Sequence, residues 1–333
     1  MTSDMTATAV SEIDDSQLDA AHTAYLAPMR RSELRDQLGA DVFTKRPLVF
    51  SAKVLLGLAA IGAASVYSAR SRSWRARLLA VAVNGGFFAH LLELQHECLH
   101  EHAYADRRVN RLVGSVCGAP TLSSFSHYKY EHLRHHAFLG TPENREFFEY
   151  KADGLDSVTG FARAAFNLTR YASVARNIGR ALSGRGPRDV EKHASARRSQ
   201  REYVVLGAGV AVAAAALTQR RFRLEVLLSW WLPALVIAEP IHFLIELPEH
   251  FGLAADTNPD VLENSRTVRA SRFARWFTNG NDVHTAHHVH QGVPMENLQS
   301  VQDVIAPAIK HTARSYPAFY ADVIAGRVVP DNS

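Results

Sequence analysis

Four long apolar stretches limit what this chain can fold into more than any other feature. Pro47 to Ser68, Leu78 to about Leu94, Tyr203 to Thr218 and Leu224 to Leu247 are dominated by aliphatic and small residues. A helix needs about 20 apolar residues to cross a bilayer, and basic or aromatic residues flank these stretches as they do at membrane interfaces. The pattern predicts an all-α integral membrane protein with about four transmembrane helices rather than four buried helices of a soluble protein. Lys53, near the start of the first stretch, is placed to snorkel to the interface. The fourth contains Trp230, Trp231, Pro233, Glu239, Pro240, His242 and Glu246.

The rest of the chain is polar, and the mean hydropathy of -0.12 fits a few spans joined to a large polar portion. Residues 1–46 form a polar N-terminal segment with helical patches at Ser16 to Leu26 and Arg31 to Leu38, and no signal peptide is expected. The segment from about Glu101 to Arg201 is strongly basic and is interrupted by a loop at Ser183-Gly184-Arg185-Gly186-Pro187. Residues 301–333 read as a C-terminal cytosolic helix and tail. Two cysteines, Cys98 and Cys117, exclude a disulfide framework and a four-Cys zinc site.

Charge gives the orientation. The N-terminal, central and C-terminal polar segments hold 5, 17 and 7 Lys+Arg, against 4 and 3 in the turns Ala69–Arg77 and Gln219–Arg223. The larger share marks the cytoplasmic side. Two spans between residues 201 and 248 return the chain to its starting face, so the central and C-terminal segments share one side.

Those segments hold most of the 17 histidines, and eight of the 17 form three tight boxes in or just before them. They are His96-Glu97-Cys98-Leu99-His100, His132-Leu133-Arg134-His135-His136 and His284-Thr285-Ala286-His287-His288. Positions i, i+3 and i+4 share one face of a helix, so the boxes present two, three and three imidazoles. Neutral imidazole ligates iron, zinc and copper. Eight histidines are too many for one four-coordinate zinc but give about four nitrogens to each of two ions. His250, where the fourth span exits on the same side, is a ninth candidate. His90, His102, His127, His242 and His290 read as packing or supporting residues, and His22, His193 and His311 as surface. Glu97, Glu101, Glu131 and Asp282 are candidates to accept the free imidazole N–H groups.

These residues resemble the integral-membrane fatty acid desaturase superfamily, with its hydroxylase relatives. The likeness lies in the HxxxH, HxxHH and HxxHH boxes, Arg107-Arg108-Val109-Asn110, the run from Tyr130 to Thr141, and Asn281 through Leu298. Glu249-His250-Phe251-Gly252 is similar to the EHYG element of membrane alkane monooxygenases, where the His is a ligand. Gln291 stands near where many relatives carry Pro. The resemblance covers residues 47–300, which then form a membrane di-iron desaturase domain under a cytosolic helical cap. It implies two irons held by His96, His100, His132, His135, His136, His284, His287 and His288, with His250 as the ninth ligand.

It further implies O₂ as co-substrate and a fatty acyl lipid, acyl-CoA or acyl carrier as substrate. Electrons would come from a separate ferredoxin or cytochrome-type donor, since no His-Pro-Gly-Gly haem signature is present. Lys129, Arg134 and Arg145 could bind a headgroup or carrier phosphate. The partners expected are these and membrane lipid, not nucleic acid. Desaturation is the leading outcome, and hydroxylation at the same metals remains open. Box one also matches HExxH, a zinc peptidase motif with Glu97 as base, which would leave six box histidines unexplained. Metal transport would need a polar path through the bilayer, for which only Glu239, His242 and Glu246 are available.

Overall fold

The computed structural model describes residues 34, 37–150, 154, 155, 157–190 and 193–329. The expected helical patch Ser16 to Leu26, most of the patch Arg31 to Leu38, and His22 lie outside the described residues.

Four long helices carry the apolar stretches: α1 (Pro47–Arg70), α2 (Trp74–Leu99), α7 (Ala196–Thr218) and α8 (Arg220–His250). Each is long and apolar enough to cross a membrane. They form two hairpins, joined by residues 71–73 and by Gln219. Shorter helices lie between them: α3 (Arg107–Gly118), α4 (Phe125–Phe138), α5 (Val158–Phe166) and α6 (Leu168–Leu182). Beyond α8 come α9 (Val261–Asn264), α10 (Arg272–Phe277), α11 (His284–Val289), α12 (Leu298–Ile305) and α13 (Tyr316–Ile324). A two-residue parallel pairing of Thr267–Val268 with Thr312–Ala313 is the extent of sheet among the described residues. The architecture is all-α, as expected.

Burial separates the spans. The apolar window of α2 is 67% buried, against 17% for α1 and 11% for α7, so α2 runs through the middle. The outer helices turn Leu55, Leu56, Val205 and Val212 outward. A belt of that kind is matched by lipid rather than by water. Helix α8 crosses α2 closely because Gly85 has no side chain: a Cβ there would lie 2.3 Å from Ile237 Cβ. Around Pro233 and Pro240 the turns of α8 widen to π geometry, at Leu227–Trp231 and Pro233–Ala238. Proline removes an N–H from the ladder and crowds the preceding turn.

The intramembrane acid Glu239 is fully buried and paired. Arg170 on α6 grips it through Nη2 to Oε2 at 2.6 Å and Nε to Oε1 at 2.9 Å, and Tyr171 donates to Oε2 at 3.0 Å.

Two features position the box-bearing helices. Ser124 caps α4, accepting from His127 N–H, and Glu202 of α7 accepts from Ser124 Oγ, Ser126 N–H and Ser126 Oγ at 2.6–2.8 Å. A carboxylate at a helix N-terminus satisfies otherwise unpaired donors. This explains why α7 starts seven residues before the apolar run: its polar first turns brace α4. Helix α11 sits in a core of Leu34, Leu139, Val283, Ala286, Leu298, Val301 and Ile305.

Two expectations are corrected. Lys53 does not reach a headgroup; its Nζ donates to Asn279 Oδ1 at 2.8 Å and pairs with Glu296 at 3.0 Å, drawing α1 against the C-terminal segment. His193 is buried rather than on the surface, and its Nδ1 accepts from Ser195 N–H.

Candidate metal centre

His96 lies in the last turn of α2 and His100 just past its end. His132, His135 and His136 project from α4, His284, His287 and His288 from α11, and His250 closes α8. Their ring nitrogens converge. Those of His96, His100, His132, His136 and His287 form one group, and those of His135, His250, His284 and His288 a second, each with its atoms within 4.8 Å of one another.

Helical geometry explains the division. Residues four apart are offset by about 40° around a helix, and residues three apart by about 60° the other way. His132 with His136, and His284 with His288, therefore stay together. His135 and His287 swing across to the opposite group.

The hydrogen bonds behind the rings fix their protons. Asn144 Nδ2 donates to the Ala255 carbonyl and Asp256 Oδ1, so its Oδ1 must accept from His135 Nδ1–H, at 2.9 Å. Asn281 Nδ2 donates to Glu249 Oε1, so its Oδ1 accepts from His284 Nδ1–H, at 3.0 Å. His250 Nδ1–H donates to the Asn264 carbonyl at 2.7 Å, and His132 Nδ1–H to Glu146 Oε2 at 3.2 Å. In each of these rings Nε2 is left with a bare lone pair.

The Nε2 atoms of the cluster crowd together. The Nε2 separations are 2.7 Å for His96–His132, 2.9 Å for His100–His132, and 3.0 Å for both His136–His132 and His287–His136. In the second group they are 3.0 Å for His284–His250 and 2.9 Å for His288–His284. Burial first, then the facing imidazoles, push His100, His136, His284, His287 and His288 well below 6.5. His284 and His250 face each other as acceptor and acceptor, and the convergence of the other ring nitrogens around them suits cations in their midst. Nitrogens about 2.1 Å from one ion stand about 3.0 Å apart at right angles and about 3.4 Å apart at tetrahedral corners. The observed spacing lies nearer the right-angle value.

A cavity of about 470 Å³ opens beside both groups. His96, His132, His135, His250 and His284 face it, with Leu92, Tyr128, Phe148, Leu247 and Phe251 as apolar wall. Glu93, Glu146, Glu246 and Glu249 line it as well.

The supporting acids differ from those expected. Glu97 accepts from Met295 N–H at 3.1 Å and Asn279 Nδ2 at 3.4 Å, and belongs to neither group. Glu101 pairs with Lys129 and Arg107, Glu131 lies 3.8 Å from Arg134, and Asp282 pairs with Arg275. Glu146, Asn144 and the Asn264 carbonyl support the rings instead. The run Pro142-Glu143-Asn144-Arg145-Glu146 has no periodicity, so its polarity was the one signal it offered.

His90, His102, His242 and His290 join neither group. His90 Nδ1 meets the Phe277 carbonyl, and His242 meets Tyr150 and Glu246. His127 clusters with Glu131 and Asp189. There, Tyr203 OH can donate to His127 Nδ1 while Nε2–H donates to Asp189 at 2.7 Å, so ordinary hydrogen bonds close that cluster.

The family model for fatty acid desaturase matches residues 72–320. A protein of Bacillus subtilis (strain 168) named "Fatty acid desaturase" is 23% identical over 248 residues, covering 68% of this chain and 67% of that protein.

Proposed function

We propose that this chain, which belongs to the fatty acid desaturase family, desaturates a fatty acyl chain at two irons held by the nine clustered histidines. The family makes it a desaturase- or hydroxylase-type oxidoreductase of the membrane. The observation that carries the finer reading is the two groups of converging imidazole nitrogens opening onto one cavity.

An unactivated C–H bond has no acidic proton for a base to take and nothing for a nucleophile to attack. Two irons bound here would supply the O₂-derived oxidant that such a bond requires. The protein's own residues do the rest. The five-imidazole and four-imidazole groups would hold the ions with neutral donors. Glu146, Asn144, Asn281 and the Asn264 carbonyl lock ring orientation through the Nδ1–H groups. Leu92, Phe148, Leu247 and Phe251 give an acyl chain an apolar wall beside the histidines. The overall balance takes one O₂, two electrons and two protons, removes two hydrogens from adjacent carbons, and releases two waters.

The catalytic domain in this reading is residues 47–300, with 1–46 and 301–333 as flanking segments. The excess of Lys and Arg in the central segment supports a cytoplasmic site. A ferredoxin or cytochrome-type protein would deliver the electrons, and an acyl lipid, acyl-CoA or acyl carrier the substrate. Hydroxylation is the second reading, and the likeness of Glu249-His250-Phe251-Gly252 to the alkane monooxygenase element favours it.

Two measurements test this reading. Iron per chain on detergent-purified protein should be near two. Lipids from cells expressing the protein should then contain an acyl product lighter by two hydrogens. One added oxygen would select the hydroxylase reading, and zinc without iron would overturn both.

A further inference from the structure

The bend between α5 and α6 buries two polar groups that the fold leaves unused. Asn167 sits there in the left-handed region, at φ 38°, and is 5% exposed. That conformation accounts for an Asn or a Gly at the bend, but not for a buried amide. Its Oδ1 accepts from Thr169 Oγ1 at 3.0 Å, and its Nδ2 has no hydrogen-bond partner among the described residues. Arg170, 7% exposed, commits Nε and Nη2 to Glu239 and the Thr121 carbonyl, and its Nη1 has no such partner either. Buried donors are normally paired, so two at one bend point to an acceptor that the chain does not supply. The Asn167 side chain does not cap α6, so the positive end of that helix adds to the attraction.

Both residues line a polar chamber of about 350 Å³. Arg145, Glu146 and Glu149 line this chamber and also the cavity beside the histidines. Asn167 and Thr169 line it and also an apolar groove of about 490 Å³, walled by Phe166, Leu168, Leu235 and Val236. The groove is continuous with the lipid-facing belt, since Phe166, Leu168 and Val236 are exposed and Val236 belongs to the span α8. A polar chamber therefore stands between the catalytic cavity and a groove open to the bilayer.

We infer that Asn167 and Arg170 bind the ester carbonyls of an intact two-chain acyl lipid, with one chain in the catalytic cavity and the other in the groove along α8. This rests on the proposed function and selects among its substrates. Two donors and a helix N-terminus call for an oxygen acceptor, which an ester or a thioester carbonyl supplies. The exposed lining carries Glu149 and Asp189 against Arg145, and the Arg170 charge is matched by Glu239, so the phosphates of CoA or of a carrier arm are not drawn in. A single-chain thioester would also leave the groove unfilled. Anchoring at the carbonyl makes the oxidised position a fixed count of carbons from the ester, whatever the chain length.

The test uses full-length protein in bilayer nanodiscs containing a phosphatidylcholine with a photoactivatable diazirine in one acyl chain. Peptide mass spectrometry reads where it attaches. Wild type should be labelled at Phe166–Leu168 or Leu235–Val236. Excess unlabelled phosphatidylcholine should remove that label and palmitoyl-CoA should not. Asn167→Gly keeps the left-handed bend and loses the amide. It should label the groove roughly 2–10-fold less, the worth of one hydrogen bond. Labelling around Leu55 and Val205, on the outer spans, should not change, which shows that the fold is intact. Asn167→Asp keeps an oxygen for Thr169 without a donor and should match Asn167→Gly. Undiminished groove labelling in either variant, or displacement by palmitoyl-CoA, would overturn the inference. Lipid binding of this kind needs no iron, so wild-type protein that labels as expected yet yields no oxidised acyl chain would overturn the proposed function alone.

Discussion

Arg170→Met should be among the most damaging changes outside the histidines. It leaves the fully buried Glu239 carboxylate without the guanidinium that meets both of its oxygens, and removes a donor from the Thr121 carbonyl at 2.9 Å. Two unit charges about 4 Å apart attract by about 4 kcal/mol at an effective dielectric of about 20. Breaking one side of a buried pair typically costs about 3–5 kcal/mol, because the abandoned charge has no water to return to. The remaining Tyr171 hydroxyl, at 3.0 Å, recovers only part of that. The double variant Arg170→Met with Glu239→Leu should regain most of the loss, since apolar replacement of a whole pair is often neutral. Unfolding free energies of the three proteins in one detergent, by denaturant titration, make the comparison. A loss below about 1 kcal/mol in the single variant, or a double variant no better than the single, would refute the reasoning.

Other outcomes follow from the same structure. His287→Ala should lose iron and product together, whereas His102→Ala, which ring-stacks 5.5 Å from His100 but joins neither nitrogen group, should keep both; metal analysis decides. Asn144→Ala frees the His135 Nδ1–H and should weaken iron retention roughly 10–100-fold in a chelator competition. Gly85→Leu places carbon against Ile237 and the Pro233 carbonyl and should cost about 1–3 kcal/mol, read from the unfolding midpoint. Iron-free protein should lose stability as pH falls below about 6.5. The five imidazoles pushed down by burial stay neutral in the fold while their unfolded counterparts take up protons, so the unfolded state binds more of them. Unfolding at pH 7.5 and 5.5 checks the sign.

What could be read from the chain alone was whatever repeats on a helix or fills a bilayer. The four spans and the three boxes are both local patterns: apolar length in one case, spacing of three and four in the other. Even His250 was signalled by its place at a span's end. The residues behind the imidazoles were not legible. Asn144 and Glu146 act from an irregular loop, and the Asn264 oxygen belongs to the main chain, so no side-chain pattern marks it. The acids nearest the boxes in sequence, Glu97, Glu101, Glu131 and Asp282, looked like the supporting set for want of tertiary information. Each turned to another partner, because a neighbour on a helix points to a different face. Lys53 misled for a related reason: a lysine near a span's edge snorkels only if nothing better is in reach, and Asn279 and Glu296 are.

The division of the histidines between the two groups also sets an order of events during biosynthesis. Each group takes at least one imidazole from α11: His287 for one, His284 and His288 for the other. A nascent chain that has inserted all four spans but not yet emerged as far as α11 holds four nitrogens of the first group and only His135 and His250 of the second. In the proposed centre a second ion could be secured only after translation has passed residue 288, once α4, the end of α8 and α11 have come together.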